Sequence, residues 1–415
     1  MGEQRPLDPT PSRGTVDGDG YYRPSGYEIL TCWVTGFDPV DELAAGPLAP
    51  SPRAGFEAAL LPALRRTPCV VAFSGGRDSS AILAVATHLA RRHGLPDPVP
   101  ATHDFTGRGE ADESHYQELL IRELGLREWH RFRDEDGRGF DVLGERARRG
   151  LRRHGLLWPA MVHCHAPLVE LAAGGGSVIT GEGGDEVLGS QRMAAVNYVI
   201  KNRHRPGRRT LRLLADSLAP ATWRRRELCR QLRATPMHPW LRPEIAEGFV
   251  QRLARDLAGA PLRWDAAVLR CAGRRSVTTA AANFRRIFAA DDVTYHEPFL
   301  DPAFLAPLRR AGGWRGWITR TSMMRMLFGD VLPEEICGRD QKARFGSVAV
   351  GGPSREFIAD WNGEGADPDV VDIEAFRAAV NGESPVYGVQ LLLQSAWLAV
   401  NRDRGETAVA DARRT

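Results

Sequence analysis

Residues 69–80 read CVVAFSGGRDSS, and this stretch sets the pattern for the first half of the chain. Its first five residues are apolar and follow Pro68, which is typical of a short strand buried on both faces of a sheet. After the serine and glycine residues, apolar side chains recur at helical spacing over residues 81–92, and the pattern stops before Gly94. The stretch therefore predicts a buried strand, a glycine-rich turn and a helix.

Strands and helices alternate around this stretch through about residue 200. The pattern predicts a helix over 56–64, strands over 99–105, 128–132 and 177–180, and helices over 114–124 and 161–173. Such an alternation predicts the α/β class, with a parallel sheet that carries helices on both faces. From about residue 208 to residue 400 the pattern is mostly helical.

These patterns divide the chain into three parts. Residues 1–50 are rich in Gly, Pro and Asp, so we expect a short, partly disordered segment to about residue 20, followed by one or two short strands. Residues 51–205 form the predicted α/β domain. Residues 206–415 form a mainly helical region.

Composition excludes several function classes. The 415 residues include 55 Lys plus Arg and 52 Asp plus Glu, a net charge of +3, which argues against a dedicated nucleic-acid binder. No apolar run approaches the roughly 20 residues that a membrane span needs. Six cysteines stand singly, without a CxxC pair, which indicates free thiols in a reducing cytoplasm.

The glycine-rich turn has the chemistry of a phosphate cradle. Gly75 and Gly76 let the backbone bend sharply and approach a ligand closely. The helix that follows offers unpaired N–H groups and the positive end of its dipole to an anion. Ser74, Ser79 and Ser80 add hydroxyl donors.

This turn lacks the Gly-Lys-Ser/Thr of a Walker loop and resembles instead the SGGxDS loop of the ATP pyrophosphatases, or PP-loop proteins. The resemblance implies that the loop grips the β- and γ-phosphates of ATP. It also implies attack at the α-phosphorus, so that AMP is transferred and pyrophosphate leaves.

A second motif, GEGGDE at residues 181–186, directly follows the predicted strand at 177–180. In this motif the chain resembles the asparagine synthetase family. EPFLD at 297–301, LPEEI at 332–336 and RDQKARF at 339–345 are similar to further motifs of that family, in the same order. The resemblance covers roughly residues 50–400 and implies the PP-loop type of α/β fold, completed by the helical region.

The resemblance assigns metal-binding and catalytic roles. Asp78 and Asp185 would hold Mg²⁺, which offsets the repulsion of about 4 kcal/mol between two carboxylates roughly 4 Å apart at an effective dielectric of about 20. Glu182 matches the family's base for the attacking amine, with a structural or metal-bridging role as the alternative. Lys342 matches the lysine that neutralises charge on the α-phosphate and pyrophosphate. Only Lys201 and Lys342 are lysines among the 55 basic residues, so a lysine at the motif position favours function.

The resemblance also assigns residues to the nucleotide. Thr180 and Gly181 match positions that line the adenine pocket through the backbone. Phe73 matches a position on the first strand from which it would pack against adenine. Arg339 either anchors the loop that carries Lys342 or contacts phosphate.

Two other features each allow a structural and a functional interpretation. His163-Cys164-His165 suggests metal ligands, but residues two apart on a helix face different directions, which favours packing in or behind the core. Residues 201–235 contain eleven Lys or Arg and two Asp or Glu. A solvated face or an acidic partner explains this excess.

The sequence does not determine which molecule donates the amine. Asparagine synthetases begin with a glutaminase domain whose nucleophile is a cysteine at the second position, whereas this sequence begins Met1-Gly2 and has about fifty residues before the resemblance starts. We therefore expect a stand-alone synthetase that takes free ammonia, a partner glutaminase's ammonia, or an amine on another substrate. Lasso-peptide cyclases and β-lactam synthetases are precedents in the family for the last option. The Tyr–Glu pair of the β-lactam group is not located, since Tyr198 is the first tyrosine after Asp185.

The expected function is ATP-dependent amide formation on a small-molecule or peptide carboxylate, in specialised metabolism. One alternative keeps the PP-loop in a tRNA-modifying enzyme, against which the near-neutral charge argues. Another is a non-catalytic nucleotide-binding regulator. The presence of Asp78, Asp185 and Lys342 argues against that alternative.

Overall fold

A computed structural model of the protein describes residues 7–40, 48–133, 138–189, 191–202, 207–339, 343–382 and 387–412. Its strands are β1 (Thr15–Val16), β2 (Tyr22–Arg23), β3 (Cys69–Ala72), β4 (Val99–Asp104), β5 (His130–Arg133), β6 (Ser177–Ile179) and β7 (Thr294–His296). Short 3₁₀ turns lie at Gly109–Ala111, Ala160–His165, Pro298–Leu300 and Tyr387–Val389.

The helices of the described residues run through the whole chain and dominate its second half. They are α1 (Gly26–Thr31), α2 (Pro52–Leu64), α3 (Arg77–Arg92), α4 (Ser114–Leu124), α5 (Glu145–His154), α6 (Ala166–Ala172), α7 (Gly184–Val187), α8 (Met193–Asn202), α9 (Arg208–Leu218), α10 (Ala221–Ala234), α11 (Pro243–Ala258), α12 (Trp264–Ala272), α13 (Arg275–Ala289), α14 (Pro302–Gly312), α15 (Arg320–Phe328), α16 (Glu334–Gly338), α17 (Gly346–Ala349), α18 (Gly352–Asp360), α19 (Ile373–Asn381) and α20 (Gln390–Ala412). No described helix is both long and apolar enough to cross a membrane.

Five parallel strands form the central sheet in the order β5-β4-β3-β6-β7. Val71 of β3 is in register with Pro100 of β4 on one side and with Ile179 of β6 on the other. The carboxyl ends of β3 and β6 therefore lie side by side. In an open α/β sheet this edge is where ligands bind.

Helices cover both faces of this sheet. Val71 packs into an apolar cluster with α2 and α3, whereas Val70 packs on the opposite face with α6 and α13. Side chains alternate along a strand, so neighbouring valines are buried against different layers. The prediction of a parallel sheet with helices on both faces is confirmed. A separate apolar cluster joins α18, α19 and α20 around Trp240.

The structure corrects three local expectations. Strand β7 lies in the region expected to be helical, and its three residues are too few for a periodic signal. Residues 161–173, expected to be one helix, comprise a 3₁₀ turn and then α6, in which Pro167 occupies the first turn.

The third correction concerns the N-terminal segment. Its short strands are present, but β1 begins within the stretch expected to be disordered to residue 20, and a helix, α1, follows them. Ser25 caps α1 by accepting a hydrogen bond from the Glu28 N–H. Glu28 is buried and pairs with the buried Arg275 of α13, which ties the segment to the main body.

Candidate active site

The loop between β3 and α3 has the shape of the predicted phosphate cradle. Gly75 has φ +86°, a conformation that a side chain disfavours, and Gly76 precedes the first turn of α3. The Ser79 hydroxyl accepts from the Ser74 N–H at 3.2 Å and donates to the Gly76 carbonyl at 3.1 Å. These bonds hold the loop against the helix N-terminus, whose N–H groups are suited to an anion.

A cavity of about 370 Å³ opens at the ends of β3 and β6 and includes most of the predicted site. The predicted residues that line it are Ser74, Gly76, Asp78, Ser79, Thr180, Gly181, Glu182, Asp185 and Arg339. Residues more than 100 positions apart in the sequence therefore face one space, as expected for the ends of neighbouring parallel strands.

The two loops meet at Gly184 and Asp78. A Cβ atom on Gly184 would lie 2.6 Å from Cγ of Asp78, far inside van der Waals contact. On Gly181, in contrast, a Cβ atom would lie 3.5 Å from Cβ of Asp78, an ordinary contact. The glycine at position 184 thus allows the second loop to approach the first Asp closely.

Arg320, which the sequence analysis missed, bridges the two predicted metal-binding carboxylates. Its Nη2 lies 2.5 Å from each carboxylate oxygen of Asp78, and its Nη1 donates to Asp185. Burial raises the pKa of Asp78, while Arg320 acts in the opposite direction. The guanidinium compensates the negative charge that the two carboxylates bring together.

The donor set suits a magnesium ion that also binds phosphate. Mg²⁺ in nucleotide sites takes one or two carboxylates together with phosphate oxygens and water. Asp78 and Asp185 supply that number at the edge of the cradle. Among the described residues, no group of three or more His, Cys, Asp or Glu side chains could hold a metal.

A buried ion pair between Arg339 and Glu113 lies at the wall of the cavity and contacts the cradle. Nη2 of Arg339 donates to Oε1 of Glu113 at 2.6 Å, and Nη1 donates to Oε2 of the same carboxylate. Nη1 also donates to the Gly75 carbonyl at 3.1 Å. The side chains of Arg339 and Glu113 are 5% and 6% exposed. The guanidinium also lies 3.9 Å from the centre of the Tyr116 ring. Arg339 therefore holds the backbone at Gly75, while its roles as an anchor for the loop that carries Lys342 or as a phosphate contact stay predictions. Glu113 is a partner that the sequence analysis missed.

A family model described as asparagine synthase matches residues 58–399. The chain belongs to the asparagine synthase family. A comparison with curated proteins found no match. Membership in the asparagine synthase family makes this protein an ATP-dependent synthetase of the amide-forming class.

Beside the asparagine synthase motif GEGGDE lies an acidic pair with an unusual environment. Glu182 lines the cavity, and its charge acts on Glu297, which is buried at the end of β7. Burial raises the pKa of Glu297 to about 7. The ion pair with Arg285 lowers this pKa and the charge of Glu182 raises it, but both effects are smaller than that of burial. The Tyr295 hydroxyl, also buried, is 2.8 Å from Oγ1 of Thr180.

Three predicted residues of the asparagine synthase site, Phe73, Gly75 and Ser80, do not line the cavity. Phe73 is 1% exposed and packs in the cluster of α2 and α3, whereas Ala72 lines the cavity. The contact of Phe73 with adenine stays a prediction. Ser80 is completely buried and does not line the cavity. Lys342 lies outside the described residues.

The two histidines of the 3₁₀ turn also differ from each other. His163 is 6% exposed, as expected for core packing. His165 lines the cavity, and burial lowers its pKa to about 3, so its imidazole is neutral. Its ring lies 4.3 Å from the ring of Phe284, which fixes its orientation. Cys164 and the other five cysteines are free thiols, as predicted.

Proposed function

We propose that this protein adenylates a carboxylate with ATP and passes the acyl group to an amine or ammonia. The observation that carries the proposal is the cavity in which the cradle of residues 74–79, which includes Asp78, faces Asp185 and Glu182. A phosphate cradle beside paired carboxylates is suited to a metal-bound triphosphate. The family supports ATP-dependent amide formation as the general class.

The first step is attack of the substrate carboxylate oxygen on the α-phosphorus. The bond between the α-phosphorus and the bridging oxygen breaks, and pyrophosphate leaves. In this proposal the Gly76 backbone and the hydroxyls of Ser74 and Ser79, which line the cavity, hold the departing phosphates together with the Gly75 backbone of the same loop. Asp78 and Asp185 would hold Mg²⁺, which supplies charge neutralisation on the phosphates when bound. Lys342 would stabilise the charge that develops on the leaving group.

In the second step the amine nitrogen attacks the acyl carbon, and AMP leaves. The nitrogen must lose a proton as the amide forms, and we assign that proton to Glu182. Thr180 and Gly181 line the cavity beside it and would contact the adenosine through their backbone. Glu182 needs to be ionised to accept the proton. Its neighbour Glu297 has a pKa raised to about 7 and therefore becomes negatively charged as the pH rises.

The cellular role belongs to the same proposal. We place the reaction in specialised metabolism, on a small-molecule or peptide carboxylate, with the amine supplied by a second substrate, free ammonia or a partner glutaminase. The six free thiols support a reducing compartment, and hence the cytoplasm.

Exchange of labelled pyrophosphate into ATP tests the proposal. With Mg²⁺ and a panel of carboxylates, we expect exchange that depends on one class of acid, and AMP and pyrophosphate as products. Formation of ADP and phosphate would contradict the proposal. Binding of ATP without exchange for any acid would favour a regulatory nucleotide-binding protein instead.

A further inference from the structure

A second cavity, of about 290 Å³, opens between α5, α6 and the end of α13. It shares no lining residue with the ATP cavity, although the 3₁₀ turn Ala160–His165 contributes His163 to this cavity and His165 to the other. Small-molecule pockets begin at a volume of about 300 Å³, so a ligand that fits here must be small. The cavity is therefore a candidate site outside the proposed chemistry.

The interior of this second cavity is apolar. Its lining includes an aliphatic side chain from each of the three helices: Leu151, Val169 and Ile287. The amide of Gln394 also lines it, but donates to the carbonyls of Val142 and Ala160 at 3.0 Å each. Burial lowers the pKa of His163 to about 4, so its imidazole is neutral. The interior therefore offers apolar contact and no charge.

Gly150 keeps part of this space open. It lies in the interior of α5, where glycine is one of the least favourable residues. No neighbouring atom requires a glycine there, because an added Cβ would lie 3.9 Å from Cβ of His163, an ordinary contact. Since Gly150 lines the cavity, a long side chain at this position would compete with a ligand for the space.

Charges of both signs stand at the second cavity without a partner. Four such side chains line it: Arg146, Arg153, Glu170 and Asp291. Within the described part of the chain, none of the four forms an ion pair or a side-chain hydrogen bond, whereas Arg149, which also lines the cavity, pairs with Glu145. Two cations and two anions are thus available to a ligand.

The arginines of α5 divide between two faces of the helix. Arg148 and Arg152 lie over the ring of Trp397, at 5.9 and 5.3 Å from its centre. Arg146 and Arg153, seven positions apart and hence on one face, line the cavity instead. The acidic side chains come from α6 and from the residues after α13, so the two signs of charge belong to different walls.

We infer that this second cavity binds a free α-amino acid with an apolar side chain. The carboxylate of such a ligand suits the two arginines of α5, and its ammonium group suits Glu170 and Asp291. Its side chain suits the apolar interior. A ligand with a single charge would leave the opposite charges of the cavity unpaired, and a charged side chain would lose its hydration in the interior without gaining a partner.

Isothermal titration of the full-length protein without ATP tests this inference. The probes are L-leucine, isocaproate, which lacks the amino group of leucine, and isoamylamine, which lacks its carboxylate. We expect leucine to bind at least about tenfold more tightly than either analogue, because each analogue loses charged hydrogen bonds. Aspartate and lysine should bind more weakly than leucine. No detectable binding of leucine or phenylalanine, or equal affinity for leucine and one analogue, would overturn the inference.

Gly150→Leu tests whether the ligand occupies this cavity. The leucine side chain favours α5 and fills the space, so the melting temperature should not fall, while the affinity for free leucine should fall at least about tenfold. Gly248→Leu is the matched control, because Gly248 lies inside α11, does not line the cavity, and has no atom within 4 Å of an added Cβ. Unchanged affinity in Gly150→Leu, or equal losses in both variants, would overturn the inference.

Arg153→Ala tests the charge of the site without a change in its interior, because Arg153 is exposed. The affinity for leucine should fall by about three- to tenfold. Arg152→Ala is the control, since Arg152 is exposed on the same helix and does not line the cavity. Equal affinity in the two variants would overturn the inference. Since the titrations contain no ATP, failure of pyrophosphate exchange would contradict the proposed function alone.

Discussion

The guanidinium of Arg320 lies against the carboxylate of Asp78, with Nη2 2.5 Å from both oxygens. The same group contacts Asp185, so one cation joins the carboxylates that we assign to magnesium. Mg²⁺ held by Asp78 and Asp185 would compete with Arg320 for the same carboxylate oxygens. The guanidinium of Arg320 would also suit phosphate oxygens as acceptors.

Arg320→Ala should lower the stability of the ligand-free protein and raise its response to Mg²⁺. Two partly buried carboxylates lose their common partner, which we expect to cost about 1–3 kcal/mol. Because the metal no longer competes with a guanidinium, Mg²⁺ alone should raise the melting temperature more in the variant than in the unaltered protein. Differential scanning fluorimetry with and without Mg²⁺ measures both effects.

Arg325→Ala is the control for Arg320, because Arg325 lies on the same helix and pairs with the exposed Glu334. Such a surface pair contributes little. Equal melting temperatures and equal magnesium responses in the two variants would refute a bridging role for Arg320.

Gly184→Ala should weaken binding of Mg²⁺·ATP. The added Cβ would lie 2.6 Å from Cγ of Asp78, so either the loop or the carboxylate must shift. Overpacking of this kind destabilises a folded protein by about 1–3 kcal/mol. Isothermal titration with Mg²⁺ and a non-hydrolysable ATP analogue measures the affinity. Gly248→Ala, on α11 and outside the cavity, adds a Cβ that meets no atom within 4 Å and should bind nearly normally. An equal loss in both alanine variants would mean that the contact with Asp78 is not the cause.

The sequence predicted those parts of the site that local patterns determine. The apolar run before SGGRDSS indicated a buried strand, and the same was true of SVIT before GEGGDE. Because parallel strand ends meet at one edge, Asp78 and Asp185 could be placed together before any coordinates were known. The side-chain period of two also indicates that Phe73 shares the buried face of Val71, and both side chains lie in the cluster of α2 and α3.

The missed residues have no local signal. Arg320 is 242 positions from Asp78, and Arg339 is 226 positions from Glu113. In a sequence with this many arginines, the identity of a residue does not indicate which one faces the cavity. Strand β7 was missed because three residues between helical segments are too few to show an alternating pattern.

Arg339→Lys should destabilise the cradle although it keeps the charge. A lysine cannot form the paired bonds to Glu113 together with the bond to the Gly75 carbonyl, and it loses the planar contact with Tyr116. Arg339→Ala leaves Glu113 buried without its cation, and we expect it to cost about 3–5 kcal/mol. Urea unfolding measures both changes.

Arg344→Ala offers a comparison for the Arg339 variants. Arg344 pairs with Glu110 at 3.8 Å on the surface, so its removal should change the free energy of unfolding by less than about 0.5 kcal/mol. If Arg339→Ala is as mild as this control, the buried ion pair does not hold the loop.

Glu297 should make stability fall as the pH rises. Its pKa in the folded protein is raised from 4.5 to about 7, so the folded state binds its proton more tightly than the unfolded state does. The loss of stability begins near pH 4.5 and is complete above pH 7, where it amounts to about 3 kcal/mol. Glu297→Gln removes this dependence. The variant should match the unaltered protein at pH 5 and exceed it at pH 8 in urea unfolding. A constant difference between the two proteins across this range would contradict the raised pKa.

Lys342→Arg tests the catalytic role of Lys342, and Lys201, the chain's only other lysine, provides a control. We assign Lys342 to the charge that develops on the α-phosphate and pyrophosphate in the transition state. A guanidinium keeps the charge but has a different shape and donor geometry. Loss of a well-placed donor to developing charge reduces turnover by about 100-fold or more. Pyrophosphate exchange should therefore fall by about that factor, while the melting temperature and the affinity for ATP stay nearly unchanged.

Lys201→Arg makes the same chemical change in the stretch 201–235, away from the RDQKARF motif, and should leave exchange unaltered. Full exchange in Lys342→Arg would remove Lys342 from the catalytic step, and equal losses in both variants would point to a general effect of replacing lysine.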